Sequence, residues 1–273
     1  MSMFWLRETV VEYDGRKFAY PSYEIQFRVE FGKGGDPDLA VIDLYNLSPE
    51  TSQMFAVAGD DDTRSVTLRA GYQGDTGIVM VGRIKNVREM FEGVDHITEI
   101  EVHDTSAEYQ GDIVSESYVP GTTGSQILER LISMSGLETG KIELVVDPIY
   151  IEGRSVDGPI KTAIEDIATD CEAEVHVTHG SIYILPPGGM HDEAVVLSPE
   201  SGLLGFPKRN EDAESSTLWE VDSLLNYRIR AGTLVQVQSK RVTGVFAVES
   251  GEHISDGSAF KTVVRLAEPG GAG

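Results

Sequence analysis

The chain is poor in several things at once. Its 273 residues hold a single cysteine, Cys171, so no intrachain disulfide can form and a reducing compartment is compatible. No run comes near the roughly 20 apolar residues of a membrane span, and the opening Met-Ser-Met-Phe-Trp-Leu-Arg-Glu lacks the apolar core of a signal peptide. A soluble protein without a membrane span is therefore expected. Base is scarce: 22 Lys and Arg stand against 45 Asp and Glu, a net charge of −23. A tight nucleic-acid binder needs dense basic patches, and only the small clusters Lys208/Arg209, Arg228/Arg230 and Lys240/Arg241 are present. The acidity serves solubility, a high-salt habitat, or a surface that repels a polyanion.

Catalytic constellations are missing too. Asp60-Asp61-Asp62 has no ligand-spaced partner and reads as a solvated acidic loop. His176 and His179 fall on opposite sides of a strand end, which is poor zinc geometry. His96 and His103 read as surface or satisfied histidines, and Cys171 as a small core residue on an apolar helix stripe. Gly202–Gly205 lacks the Gly-Lys-Ser/Thr of a phosphate loop. Acidic residues are too many to single out a glycosidase pair. Catalytic, cofactor-binding and metal residues are all expected to be none, and the protein is read as no enzyme.

What is present is a succession of short strands. The 29 glycines and 11 prolines are spread between short apolar runs, which favours strands and turns over long helices. Tyr23–Phe31 alternates, with Tyr23, Ile25, Phe27, Val29 and Phe31 on one face. Leu39–Leu44, Val66–Tyr72, Ile78–Val87 and Ile97–Asp104 are further strands, with a turn at 73–77. Ser48 and Pro49 predict a short helix running toward Val57. Thr122–Ser135 predicts a helix ended by Gly136, with Leu128 and Leu131 in its core. Ile160, Ala163, Ile164, Ile167, Ala168 and Cys171 predict a second amphipathic helix. Ile142–Val146 is read as a strand, and Glu174–Val177 with Ser181–Leu185 as a hairpin. Ala194–Leu197, Thr217–Val221, Tyr227–Ile229, Leu234–Ser239, Gly244–Glu249 and Phe260–Leu266 complete the strands, and Glu268–Gly273 is expected to be a disordered tail.

The expected fold is mainly β with an α+β insertion: two tube-like β-barrel or sandwich domains flanking a small α/β domain. The boundaries are 1–117 for the first β-domain with one short helix, 118–190 for the α/β domain, and 191–273 for the second β-domain with its flexible tail.

The order of motifs carries a family resemblance. "DLYNLSPET", "VTLRAGY", "GIVMVGRIKNV" and "ITEIEVHDTSAEY" are followed by "GTTGSQILERLI", then "LSPESGLLGFPKR", "LLNYRIRAGTLVQVQS", "GVFAVESGEHISDG" and "FKTVV". This succession resembles the baseplate hub proteins of tailed phages and related contractile particles, the late control or tail protein family, over nearly the whole chain. Tyr227 stands where the pattern usually has proline after the asparagine. The resemblance implies a structural late protein of the virion tail, assembled in the host cytoplasm. It implies a homotrimeric hub joining the tail tube or distal tail protein to a central spike protein, with a tape-measure protein nearby. Genomic DNA would pass through its channel without specific binding. On that reading Leu225–Gln238 forms paired strands, and Arg228 and Arg230 share a face suited to an intersubunit salt bridge. Two other readings remain: a tail-associated cell-wall hydrolase, and a carbohydrate-binding β-sandwich adhesin.

Overall fold

The computed structural model describes residues 6–32, 38–56, 65–104, 113–178, 181–187, 194–210 and 219–268. The loop at Asp60–Asp62, His179, most of the loop at 32–37, and residues 269–273 of the expected tail lie outside them.

The first part contributes β1 (Arg7–Tyr13), β2 (Arg16–Ala19), β3 (Ile25–Gly32), β4 (Leu39–Tyr45), helix α1 (Pro49–Ala56), β5 (Ser65–Tyr72), β6 (Asp75–Glu92) and β7 (Asp95–Asp104). The expected alternation of β3 is borne out: Ile25, Phe27, Val29 and Phe31 are buried on one face. Helix α1 starts at Pro49 as expected, and Ser48 Oγ accepts the Thr51 amide at 3.3 Å. Strand β6 is far longer than the sequence suggested. The turn before it takes only Gln73 and Gly74, and Asp75 already pairs with Tyr72.

The middle part contributes β8 (Ile113–Tyr118), β9 (Thr122–Thr123), helix α2 (Gly124–Ser135), β10 (Glu138–Ile142), β11 (Ile149–Tyr150), β12 (Arg154–Pro159), helix α3 (Ile160–Asp170), β13 (Glu174–Thr178) and β14 (Ser181–Leu185). Thr123 and Gln126 close a capping box at the start of α2, and Gly136 ends it in the left-handed region at φ 72°. The antiparallel β13–β14 pair matches the predicted hairpin. The strand expected over Ile142–Val146 ends where it was to begin. The polar Glu138–Ile142 takes its place beside β14, because Gly140 lets the Tyr183 ring lie flat against the backbone. Val145 and Val146 are left exposed.

The last part contributes β15 (Val195–Leu197), β16 (Leu203–Arg209), β17 (Trp219–Leu224), β18 (Leu234–Gln238), β19 (Thr243–Ser255) and β20 (Phe260–Ala267). The expected strand at Tyr227–Ile229 is absent. Asn226 Oδ1 accepts the Arg228 amide and Asn226 O the Ile229 amide, both at 3.1 Å. Thr233 Oγ1 then accepts the Arg230 amide at 3.0 Å. These side chains close two successive tight turns, which outcompete a ladder.

The chain is mainly β, and its β-rich ends are not two separately closed barrels. Thirteen strands form one sheet, with the path β16-β17-β20-β19-β3-β4-β7-β6-β5-β1-β2 and with β18 and β15 branching from β19. The join is β19. Thr243–Ala247 pairs with β18, and Ser250–Ser255 pairs with β3, either side of an irregularity at Val248–Ser250 where its pairing with β20 shifts register. The cores cross the same join. Leu225 and Phe260 pack among Phe27, Tyr72 and their neighbours, while Phe31 packs with Val221, Val235 and Val264. A third core holds Ile127, Leu128, Leu131, Ile164, Ile167 and Ile184, and it draws in Val114 because β8 pairs with β12.

Candidate functional site

The residues with chemical potential are placed as parts of the framework. His176 lies on β13, 5% exposed, with its ring against Gly232, where an added Cβ would come within 2.6 Å. Its Nε2 is 3.5 Å from Glu174 Oε2. His96 sits 4.9 Å from the Phe91 ring, and His103 Nε2 is 3.0 Å from Glu101 Oε1. Cys171 closes α3 and is fully buried; burial, with Asp147 and Asp170 nearby, pushes its thiol up to about 11. That is the environment of an inert core cysteine. Gly202–Gly205 leads into β16, with both glycines at positive φ. Among the described residues, no group of three or more His, Cys, Asp or Glu side chains is placed to hold a metal ion.

Arg228 and Arg230 part company. Arg228 reaches Asp75 with two hydrogen bonds of 2.6 and 3.0 Å, an ion pair within the chain. It also lies 4.4 Å over the Tyr227 ring, whose hydroxyl donates to the same carboxylate at 3.0 Å. Arg228's hydrogen bonds hold the Asp75 carboxyl below its ordinary range. The Tyr227 ring rests on Gly77, whose missing side chain makes the room. Arg230 is instead drawn inward; burial lowers its affinity for a proton, while Tyr183 and Asp38 act the other way. Segment 225–233 thus fastens the β5–β6 turn to β20 and sits under the α/β part.

The outward face of the sheet carries a strained pair. Asp43 on β4 stands directly opposite Glu99 on β7, and burial together with Glu99 raises the Asp43 carboxyl to about 6. A folded-state value above the unfolded one means that the native chain holds the proton more tightly. The contribution of Asp43 to stability is therefore fully present below about pH 4 and is lost as pH rises through about 6. Asp43→Asn is expected to stabilise the chain by about 1 kcal/mol at pH 8, after screening at a half-exposed site, and by almost nothing at pH 4. Urea denaturation at the two pH values checks this; equal effects at both would remove the Asp43–Glu99 repulsion from the account.

Two exposed surfaces remain without cover among the described residues. Strand β5 stops pairing with β6 at Arg83, whereas β7 follows β6 to Glu92. The β6–β7 hairpin therefore projects, and its tip bears Phe91 at 78% exposure and Val94 at 95%. Glu89 and Asp95 anchor it through Ser52 and Asn46. The other surface lies at the β16 end of the sheet. Phe206 is 55% exposed and carries the Arg241 guanidinium 5.2 Å above its ring; Lys208 and Arg209 on the same strand and Lys240 next to Arg241 are exposed too. Pro207 and the irregular pairing between Leu204 and Lys208 blunt this edge against simple strand addition. Periodicity carries no signal for either surface, although Lys208/Arg209 and Lys240/Arg241 stand out as basic clusters.

No family model matches the chain, and no curated protein matches it in sequence. Solved structures match it over almost its full length. A tail protein from Neisseria meningitidis MC58 superposes with a TM-score of 0.67 at 11% identity, covering 97% of each chain. The 43 kDa tail protein of prophage MuSo2 from Shewanella oneidensis gives 0.65 at 8% identity, covering 96% of this chain and 98% of its own. A component of the Escherichia coli type VI secretion system, which exhibits structural similarity to the T4 bacteriophage tail proteins gp27 and gp5, gives 0.59 at 10% identity over 95% of this chain and 76% of its own. At these identities the likeness is one of fold: the chain has the fold of phage tail proteins, in agreement with the resemblance carried by its motifs.

Proposed function

We propose that this chain is a structural protein of a phage tail or a related contractile particle, and that it is the baseplate hub. The supporting observation is the end-to-end match in fold to a tail protein that is itself covered to 97%. A fragmentary match would have suggested a shared module; here the whole architecture is alike. In the hub, three copies form a ring that joins the tail tube or distal tail protein above to the spike below, and DNA passes through the channel. The ring is built of two tube-like β-units per copy, 1–117 and 191–273, braced by the α/β unit 118–190. The chain acts by shape and contact rather than by catalysis. It is assembled in the host cytoplasm and resides in the virion baseplate.

Deleting the gene and imaging the resulting particles tests this. The expected result is loss of baseplates, with reconstructions of complete particles showing three copies around the tail axis. Complete, infectious particles without the protein would sink the hub reading, and six copies or one would sink the three-fold ring.

A further inference from the structure

The exposed hairpin tip and the basic aromatic edge are complementary in chemistry, and among the described residues each is left bare by its own chain. The tip presents Phe91 and Val94 as apolar anchors with the exposed carboxylate of Glu92 between them, flanked by Glu89 and Asp95. The edge presents Phe206 under Arg241, with Lys208 and Arg209 exposed further along β16 and Lys240 exposed beside Arg241. In a chain of net charge −23, four exposed cations in two short segments, 208–209 and 240–241, that the Arg241–Phe206 contact brings together are an unusual concentration. Lys208 is partly occupied by Glu220 at 3.0 Å, which leaves three cations to face a partner. The high exposure of Phe91 and Phe206 shows that the two surfaces do not meet within one molecule.

We propose that the β6–β7 hairpin tip of one copy docks on the Phe206–Arg241 edge of a second copy, a head-to-tail contact that repeats around the assembly. The proposal rests on the self-assembling hub reading and names the surfaces that meet. The contact is heterologous, using different patches on the two copies, so it closes into a ring if the rotation permits and otherwise extends. Phe91 and Val94 supply the desolvated centre against Phe206, and the carboxylates meet the Lys and Arg rim. Pro207 and the broken register of β16 prevent strand-on-strand addition there, so side chains rather than backbone carry the contact. The opposed charges also exclude tip-to-tip and edge-to-edge pairing of identical copies.

The test uses the full chain and a charge exchange. Lys240→Glu or Glu92→Lys alone is expected to weaken self-association by about tenfold, and the double variant to restore it, because the swap places opposite charges together again. A mixture of Val94→Cys and Phe206→Cys variants should form an intermolecular disulfide, since Cys171 is buried and does not compete. Association is read by sedimentation and the cross-link by non-reducing electrophoresis. If charge reversal leaves a trimer untouched, the docking is overturned and the hub reading stands. An assembly of another stoichiometry that still obeys the charge swap keeps the docking and sinks the three-fold ring. A chain that stays monomeric at high concentration and forms no cross-link overturns the docking. Capture of Phe206→Cys by Ile151→Cys in place of Val94→Cys also overturns it, by assigning the edge to the α/β part of the neighbour.

Discussion

Leu131→Ala lowers the unfolding free energy by about 2–5 kcal/mol, the range for truncating a fully buried leucine whose surroundings cannot collapse into the gap. Leu131 is wholly inaccessible and sits where α2 meets α3, among Leu128, Ile132, Ile164 and Ile167. The two helices are pinned independently, α2 by its Thr123–Gln126 capping box and α3 by the turn at Cys171. Neither can slide to fill the void without breaking a cap. Met134 on the same helix is a control: it is partly exposed, and Met134→Ala should cost no more than about 0.5 kcal/mol. Urea unfolding of both variants measures the difference. A Leu131→Ala loss of under about 1 kcal/mol would place the helix in a different register.

Gly77→Ala is expected to cost about 1–3 kcal/mol, and to cost almost nothing when Tyr227 is already alanine. A Cβ at residue 77 would lie 2.1 Å from the Tyr227 ring. The ring cannot swing away cheaply. Its hydroxyl is tied to Asp75, and Arg228 stacks on it while holding both oxygens of the same carboxylate. The clash runs along one edge of the ring, at Cδ2 and Cε2 alike, and the tethered hydroxyl opposes the swing that would relieve it. In the Tyr227→Ala background the obstacle is gone, so the double-mutant cycle isolates the contact. Equal costs in the two backgrounds would show that Gly77 answers to its own strand and not to the tyrosine.

Among the described residues, most strands and the three helices are legible because their burial follows a simple period. Ile25, Phe27, Val29 and Phe31 alternate, and Ile160, Ala163, Ile164 and Ile167 recur on one helical face. The errors fall where another force overrides the period. Tyr227–Ile229 has strand-like residues, but Asn226 and Thr233 supply side-chain acceptors that bend the backbone. Val145 and Val146 have the highest local β-propensity of their segment, yet tertiary space beside β14 goes to Gly140 and its polar neighbours. The Arg228–Asp75 pair is invisible in the sequence because its members lie 153 residues apart. The union of the two β-rich ends was hidden for the same reason, since the β3–β19 pairing leaves no trace in either strand alone. Of the two exposed surfaces only the basic pairs Lys208/Arg209 and Lys240/Arg241 are legible in the sequence, because the exposure of Phe91 and Phe206 is a property of the fold.

The double service of β19 has a consequence for how the chain is made. Phe27 on β3 must wait for Ser255 on β19, 228 positions later. At ordinary synthesis rates of about 5–20 residues per second, that interval is roughly 10–45 s. For all of it, one side of β3 is an unpaired strand edge next to Phe27, Val29 and Phe31, with their eventual neighbours Phe260 and Val264 still untranslated. The nascent chain is therefore most vulnerable to wrong strand pairing before its last 30 or so residues emerge, and a ribosome-bound chaperone covering β3 would act on that window. A chain stopped short of β19 carries an intact first half with an open edge, and such fragments should aggregate through β3 rather than simply unfold.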